Sequence, residues 1–153
     1  MLDSDWSRVS EIYIQGIEAG TSTFNTECPD FEEWNAHHLT KCRFVAEADG
    51  KVVGWIAVSP TSYRYAYRGV VELSVYIDDA YKGRGIGTAL INHLVEKCGE
   101  SGIWSLYSVI FADNEASVNL HKKCGFREIG YRERVAQDKF GKWTDIVLYE
   151  KRL

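Results

Sequence analysis

Three kinds of pattern side by side predict an α+β fold for this 153-residue chain. Apolar residues at helical spacing open the chain and recur twice later. Two strand-like runs meet at Asp49-Gly50, a two-residue turn that favours a hairpin, and two further runs close the chain. Between them the alternating run Val70 to Ile77 leads into Tyr81-Lys82-Gly83-Arg84-Gly85-Ile86-Gly87-Thr88 and a long helix. No repeat, linker or low-complexity tract divides the sequence, so residues 1–153 read as a single domain with one core.

Each element follows from local pattern. Val9, Ile12, Tyr13 and Ile17 predict a helix from about Ser7 to Ala19, ended by Gly20. A polar, threonine-rich loop follows, and Pro29-Asp30 introduces a short helix near Phe31 to Leu39. Arg43 to Ala48 and Val52 to Ser59 form the hairpin. Pro60 to Gly69, with Tyr63, Arg64, Tyr65, Tyr67 and Arg68, reads as a loop. In Val70 to Ile77, the residues Val71, Leu73, Val75 and Ile77 share one face, and Glu72, Ser74 and Tyr76 the other. A helix from Gly85 to about Glu100 carries Ile86, Ala89, Leu90, Leu94 and Cys98 on its inner stripe, and Gly102 stops it. Trp104 to Phe111 is a strand, and Asn114 to Cys124 an amphipathic helix capped by Gly125. Arg127 to Val135 and Trp143 to Glu150 pair at the end. Trp104 and Trp143 are expected in the core, with a contact surface between copies as the alternative.

Composition narrows the function. A hydrophobic fraction of 45% with 13% aromatics supports a packed core rather than disorder. A net charge of −4 argues against nucleic acid or an acidic membrane as partner, so local groups would have to hold any anionic ligand. Cys28, Cys42, Cys98 and Cys124 lack C-x-x-C spacing, and no segment reads as a signal peptide or membrane span. A cytoplasmic protein with reduced thiols is the expectation. His37-His38 and His93 have no ligand-like spacing to the cysteines, so no structural metal is expected.

The glycine-rich stretch carries the chemistry. Alternating glycines leave bare backbone where a ligand must approach, and the following helix turns its free N–H groups to the same spot. That suits a phosphate group. The spacing fits neither a Walker loop nor the dinucleotide fingerprint, whose third glycine would fall one place later than Gly87. In the next helix Asn114, Ser117 and His121 fall at i, i+3 and i+7, while Ala116, Leu120 and Cys124 lie on another face. Such a polar stripe suits a long ligand bearing amides, and spacing alone equally suits a solvent-facing stripe.

With these residues in view, the chain resembles the GNAT superfamily of acyl-CoA-dependent N-acyltransferases. Lys82 to Gly87 is similar to that superfamily's Q/R-x-x-G-x-G/A pyrophosphate motif, with Lys82 where Gln or Arg is usual. Gly20-Thr21-Ser22-Thr23-Phe24, Tyr67-Arg68, Glu72 to Ile77, Leu120 to Phe126 and Lys142-Trp143-Thr144-Asp145 are similar to the phosphinothricin acetyltransferase family. The resemblance implies the GNAT fold, a central mixed, mostly antiparallel sheet flanked by helices and splayed in the middle to admit acetyl-CoA. It further implies acetyl transfer from acetyl-CoA to the α-amino group of phosphinothricin, methionine sulfoximine or methionine sulfone by direct attack on the thioester, in a homodimer.

The site implied by that resemblance is specific. Glu72 and His121 are the catalytic pair, with the Val75 N–H as oxyanion donor. Val75, Tyr76 and Ile77 pair with the pantetheine arm, Lys82, Gly83, Arg84, Gly85, Ile86, Gly87 and Thr88 hold the pyrophosphate, and Asn114 and Ser117 complete the cofactor set. Phe24, Arg64, Tyr67, Glu72 and Tyr76 form the amino-acid pocket. Ser62 stands where some relatives carry lysine. The residue chemistry agrees, since an ammonium must lose a proton before it attacks, and Glu72 or His121 could take it. A guanidinium such as that of Arg64 or Arg68 fits an α-carboxylate bidentately. Two alternatives stay open at this level. One is a different acceptor, such as a polyamine, an aminoglycoside or a protein N-terminus, and the other is a non-catalytic acyl-CoA-binding module.

Overall fold

The computed structural model describes residues 1–153. Six strands form one sheet in the order β1-β2-β3-β4-β6-β5, where β1 is Phe44–Ala48, β2 Lys51–Pro60, β3 Val70–Ile77, β4 Ser105–Phe111, β5 Arg127–Gln137 and β6 Trp143–Arg152. All neighbours are antiparallel except β3 and β4. The helices are α1 (Trp6–Ala19), α2 (Phe31–His37), α3 (Ile86–Glu100) and α4 (Glu115–Lys123). The mixed sheet flanked by helices agrees with the expected class. Asp49 and Gly50 both have positive φ (52° and 73°), which matches the right-handed twist of the β1–β2 hairpin.

The sheet separates two apolar layers. Ile56, Val58, Leu73, Leu106 and Ile110 pack against Leu90, Ile91, Leu94 and Cys98 of α3. On the opposite face Val9, Ile12 and Ile17 of α1 and Trp34 of α2 pack against Trp55 and Ala57 of β2. Because β2 is covered on both faces, Val52 to Val58 is buried throughout instead of alternating. An aromatic cluster ties α1 to β3: Tyr13 lies 4.9 Å from Tyr76, which stacks on Trp55 at 4.9 Å.

Several expectations need correction. Ala89 is exposed, and Ile91 takes its place on the α3 stripe, because the sheet meets the flank that carries the larger aliphatic side chain. Ala116 is also exposed, while His121, assigned to a polar stripe, is fully buried. Trp143 is not core: it stands half-exposed with the Arg134 guanidinium over its ring. Trp104 is half-buried, with Arg68 over it and Gly69 beneath it. Strand periodicity cannot tell a face that meets a helix from one that meets only long cationic side chains.

The decisive feature lies between β3 and β4. Their parallel ladder registers only Val70↔Ser105, Val71↔Leu106 and Glu72↔Tyr107, although β3 continues to Ile77 and β4 to Phe111. Past Glu72 the two strands splay and open the sheet.

Candidate active site

A cleft of about 900 Å³ fills this opening. The splayed halves of β3 and β4, the first turn of α3, the inner side of α4 and the Thr21–Asn25 loop line it. The Asp78 N–H donates to Val53 on β2, so strand alternation sends the Ile77 and Val75 N–H groups the other way, toward the side where β4 has departed. These are backbone donors aimed into a gap without a strand partner. An extended ligand carrying amides could restore the missing ladder.

At one end of the cleft, Gly83 and Gly85 take left-handed conformations (φ 75° and 82°), and a Cβ at either would meet no protein atom within 4 Å. Gly85 forms the N-cap of α3 without a side-chain cap, and the first intrahelical bond runs from the Ala89 N–H to the Gly85 carbonyl. The N–H groups of Ile86, Gly87 and Thr88, residues that line the cleft, therefore lack helical partners at the positive end of a 15-residue helix. Gly87 has a different task. A Cβ there would come within 2.9 Å of Leu120, so its absence lets α3 and α4 approach on either side of the opening. Backbone and shape here fit the pyrophosphate of an acyl-CoA. Lys82 lines the cleft and pairs with Asp79 at 2.5 Å, whereas Arg84 lies outside it, stacked over Tyr81 at 5.0 Å.

The other end holds the titratable groups. Glu72 sits where the ladder ends, half-buried, and its carboxylate takes no hydrogen bond or ion pair from the protein. Burial therefore raises its pKa above the usual carboxylate value. His121 on α4 is 1% exposed. Its Nδ1 lies 2.8 Å from the Ser117 carbonyl, which fixes the proton on Nδ1, while Nε2 is buried with no partner. Burial lowers its pKa, so the imidazole is neutral at pH 7 and presents a free lone pair. The Tyr76 phenol is pushed well up by burial and then by nearby Tyr13, and stays a neutral hydroxyl.

The remaining expected residues divide. Phe24 lines the cleft and packs on Phe111 at 4.5 Å, and Tyr76, Asn114 and Ser117 line it too. Arg64 and Tyr67 do not. They lie at an exposed 3-10 turn, Tyr65–Tyr67, and reach no part of the cleft within one chain. Arg68 stacks on Tyr65 and Trp104, at 4.3 and 5.2 Å. Sequence reasoning missed Tyr13, Asn25 and His38, which line the cleft near Phe24. Tyr13 falls on the core stripe of α1, and only the packing of Tyr76 against it brings its hydroxyl to the edge of the opening, where the Asn25 amide donates to it at 2.7 Å.

A sheet opened beside a helix N-terminus, with an unpaired carboxylate at its apex, can hold an extended phosphate-bearing molecule next to a group able to take a proton. Residues 6–126 match the acetyltransferase (GNAT) family model, and this chain is a member of that family, similar within it to phosphinothricin and methionine sulfoximine acetyltransferases. It is 35% identical to phosphinothricin N-acetyltransferase of Alcaligenes faecalis, across 99% of this chain and 79% of that protein. Identity to the L-methionine sulfoximine/L-methionine sulfone acetyltransferase of Pseudomonas paraeruginosa is 33%, across 98% and 90%. Among solved structures, a phosphinothricin acetyltransferase from Sinorhizobium meliloti in complex with acetyl-CoA superposes with a TM-score of 0.90 at 28% identity, covering 100% of this chain and 85% of that one.

Proposed function

We propose that this acetyltransferase moves the acetyl group of acetyl-CoA onto the α-amino group of a small amino acid, with methionine sulfoximine, methionine sulfone and phosphinothricin as acceptors. The observation that carries the reading is the half-buried, unpaired Glu72 carboxylate at the apex of a cleft that also holds the partnerless His121 Nε2. Acetyl-CoA supplies an activated acyl thioester. Lys82, Gly83, Gly85 and the first turn of α3 hold its pyrophosphate, and Val75 to Ile77 its amide-bearing arm.

Glu72 takes the proton of the acceptor ammonium, directly or through water, and its raised pKa makes it a better base than an exposed carboxylate. His121 is the second proton carrier. Its Nδ1 is committed to Ser117, so Nε2 is the atom that accepts the proton. The Val75 N–H meets the negative charge that develops on the attacked oxygen. Phe24 and Tyr76 wall the acceptor end. For both proton carriers the productive form is the deprotonated one. With His121 lowered from 6.5 by burial, the acid limb of kcat at saturating acceptor is expected to inflect below pH 6.5. An inflection above that value in stopped or continuous assays across pH 5–9 would mean that the titrating group is not a buried, neutral His121 imidazole.

The proposed protein acts as a cytoplasmic homodimer in a single 153-residue domain. Tyr63, Tyr65 and Tyr67 stand 96%, 78% and 48% exposed beside Arg64, an aromatic loop that suits burial against a second copy. In that assembly Arg64 and Tyr67 would meet the acceptor carboxylate. No helix is long and apolar enough to cross a membrane.

The test is acetyl-CoA-dependent thiol release with methionine sulfoximine, methionine sulfone, phosphinothricin and methionine side by side. Turnover of the first three with little on methionine is the expected result. Silence on all four with acetyl-CoA still bound would move the acceptor outside this group.

A further inference from the structure

Gly16 lies in the last turn of α1, inside the helix and with no left-handed backbone to demand a glycine. Alanine would ordinarily be the better residue there, since glycine weakens a helix. Space decides otherwise. A Cβ on Gly16 would stand 2.6 and 2.7 Å from Cε1 and Cδ1 of Tyr76. It would also come within 3.2 Å of the Ser22 hydroxyl, which donates to the Gly16 carbonyl. Tyr76 thus leans into the space that a side chain at residue 16 would fill, and both residues line the cleft.

The Tyr76 ring has one open flank. Trp55, its register partner on β2, stacks on it at 4.9 Å with 22° between the planes. Tyr13, on α1 like Gly16, meets its edge at 4.9 Å. On the other side β4 has parted from β3, because their ladder ends at Glu72 and Tyr107, before Tyr76 is reached. Non-bonded carbons rest about 3.5–4.0 Å apart, so a methyl group at residue 16 would drive the ring by about 1 Å, and only the cleft can receive it.

We propose that Gly16 is a positioning residue that sets the length of the acceptor pocket. By giving Tyr76 room against α1, it leaves the acceptor end long enough for a side chain of the methionine sulfone class. This rests on the acceptor lying at the Glu72 end, as argued above.

Gly16→Ala tests the assignment with acceptors that grow by one methylene at a time: S-methylcysteine sulfone, methionine sulfone and ethionine sulfone. In the variant, the ratio of kcat/KM for ethionine sulfone to that for S-methylcysteine sulfone should fall by about tenfold, the usual worth of a methylene in a pocket. The acetyl-CoA Kd should stay unchanged. A uniform loss across all the acceptors would leave Gly16 a helix-packing residue only and overturn the proposal.

Two further readings need no acceptor. In a crystal structure of Gly16→Ala, the Tyr76 ring should shift toward the gap left by β4. An unmoved Tyr76 with α1 backed away from it would overturn the proposal. In thermal melts, Gly16→Ala should raise Tm more in a Tyr76→Leu background than in the wild-type chain, since leucine removes the ring atoms that the new methyl meets. Equal Tm changes in the two backgrounds would place the strain elsewhere and overturn it as well. If no acceptor is turned over, these readings still decide whether Gly16 positions Tyr76.

Discussion

Replacing Glu72 by Gln is expected to lower kcat by about 10²–10⁴-fold, the usual contribution of a positioned general base, with little change in acetyl-CoA affinity. Glutamine keeps the shape and hydrogen-bonding reach of the side chain but cannot take a proton. The same substitution should raise thermal stability at pH 7. Burial lifts the folded-state pKa of Glu72 above the 4.5 of an ordinary glutamate, so the ionised form is the disfavoured one in the folded protein. That penalty is present in full above the folded pKa and fades as pH falls toward 4.5 and below. The Tm gain of Glu72→Gln should therefore shrink on acidification. A variant with wild-type kcat would sink the assignment. A variant that lost kcat together with stability at pH 7 would instead mark Glu72 as a structural residue.

The second large effect belongs to Gly85. Valine there is expected to weaken acetyl-CoA binding by at least about 100-fold, or ~2.7 kcal/mol, in calorimetric titration. The substitution does two things. A β-branched residue at φ 82° is strained by about 1–3 kcal/mol, which costs stability, and its side chain would stand in the space that the cleft keeps open above the α3 N-terminus, which costs affinity. Gly102→Val separates them. Gly102 has φ 77° and the same open surroundings, but it follows the far end of α3 and does not line the cleft. It should lose stability through strain alone and keep its acetyl-CoA affinity. Equal losses of affinity in the two variants would refute the cradle.

Much of this molecule is legible in its sequence. Local chemistry determined α1, α3, α4, the Asp49-Gly50 hairpin and the terminal strand pair, because period, caps and turn residues act over a few neighbouring positions. The glycine-rich cradle was legible for the same reason, since left-handed backbone at Gly83 and Gly85 and a helix starting directly after them are properties of a single short segment. Strand alternation also put Glu72 and Tyr76 on a different face from Val75, as observed.

What only the tertiary structure decided are properties that depend on segments far apart in the chain. The parting of β3 and β4 after Glu72 arises between strands whose sequences each look regular, so no local pattern announces it. The burial of His121 depends on Phe126 and Tyr149 packing around a helix position that spacing alone would leave in solvent. Asn114 lines the cleft as its spacing suggests, and a carbonyl 93 residues away, that of Thr21, is a partner no spacing announces. Arg64 and Tyr67, by contrast, have suitable chemistry but lie away from the cleft of their own chain. Residue type and spacing thus determined which groups are available, and long-range packing decided which of them meet, because desolvation and alignment are set by whatever the fold brings alongside.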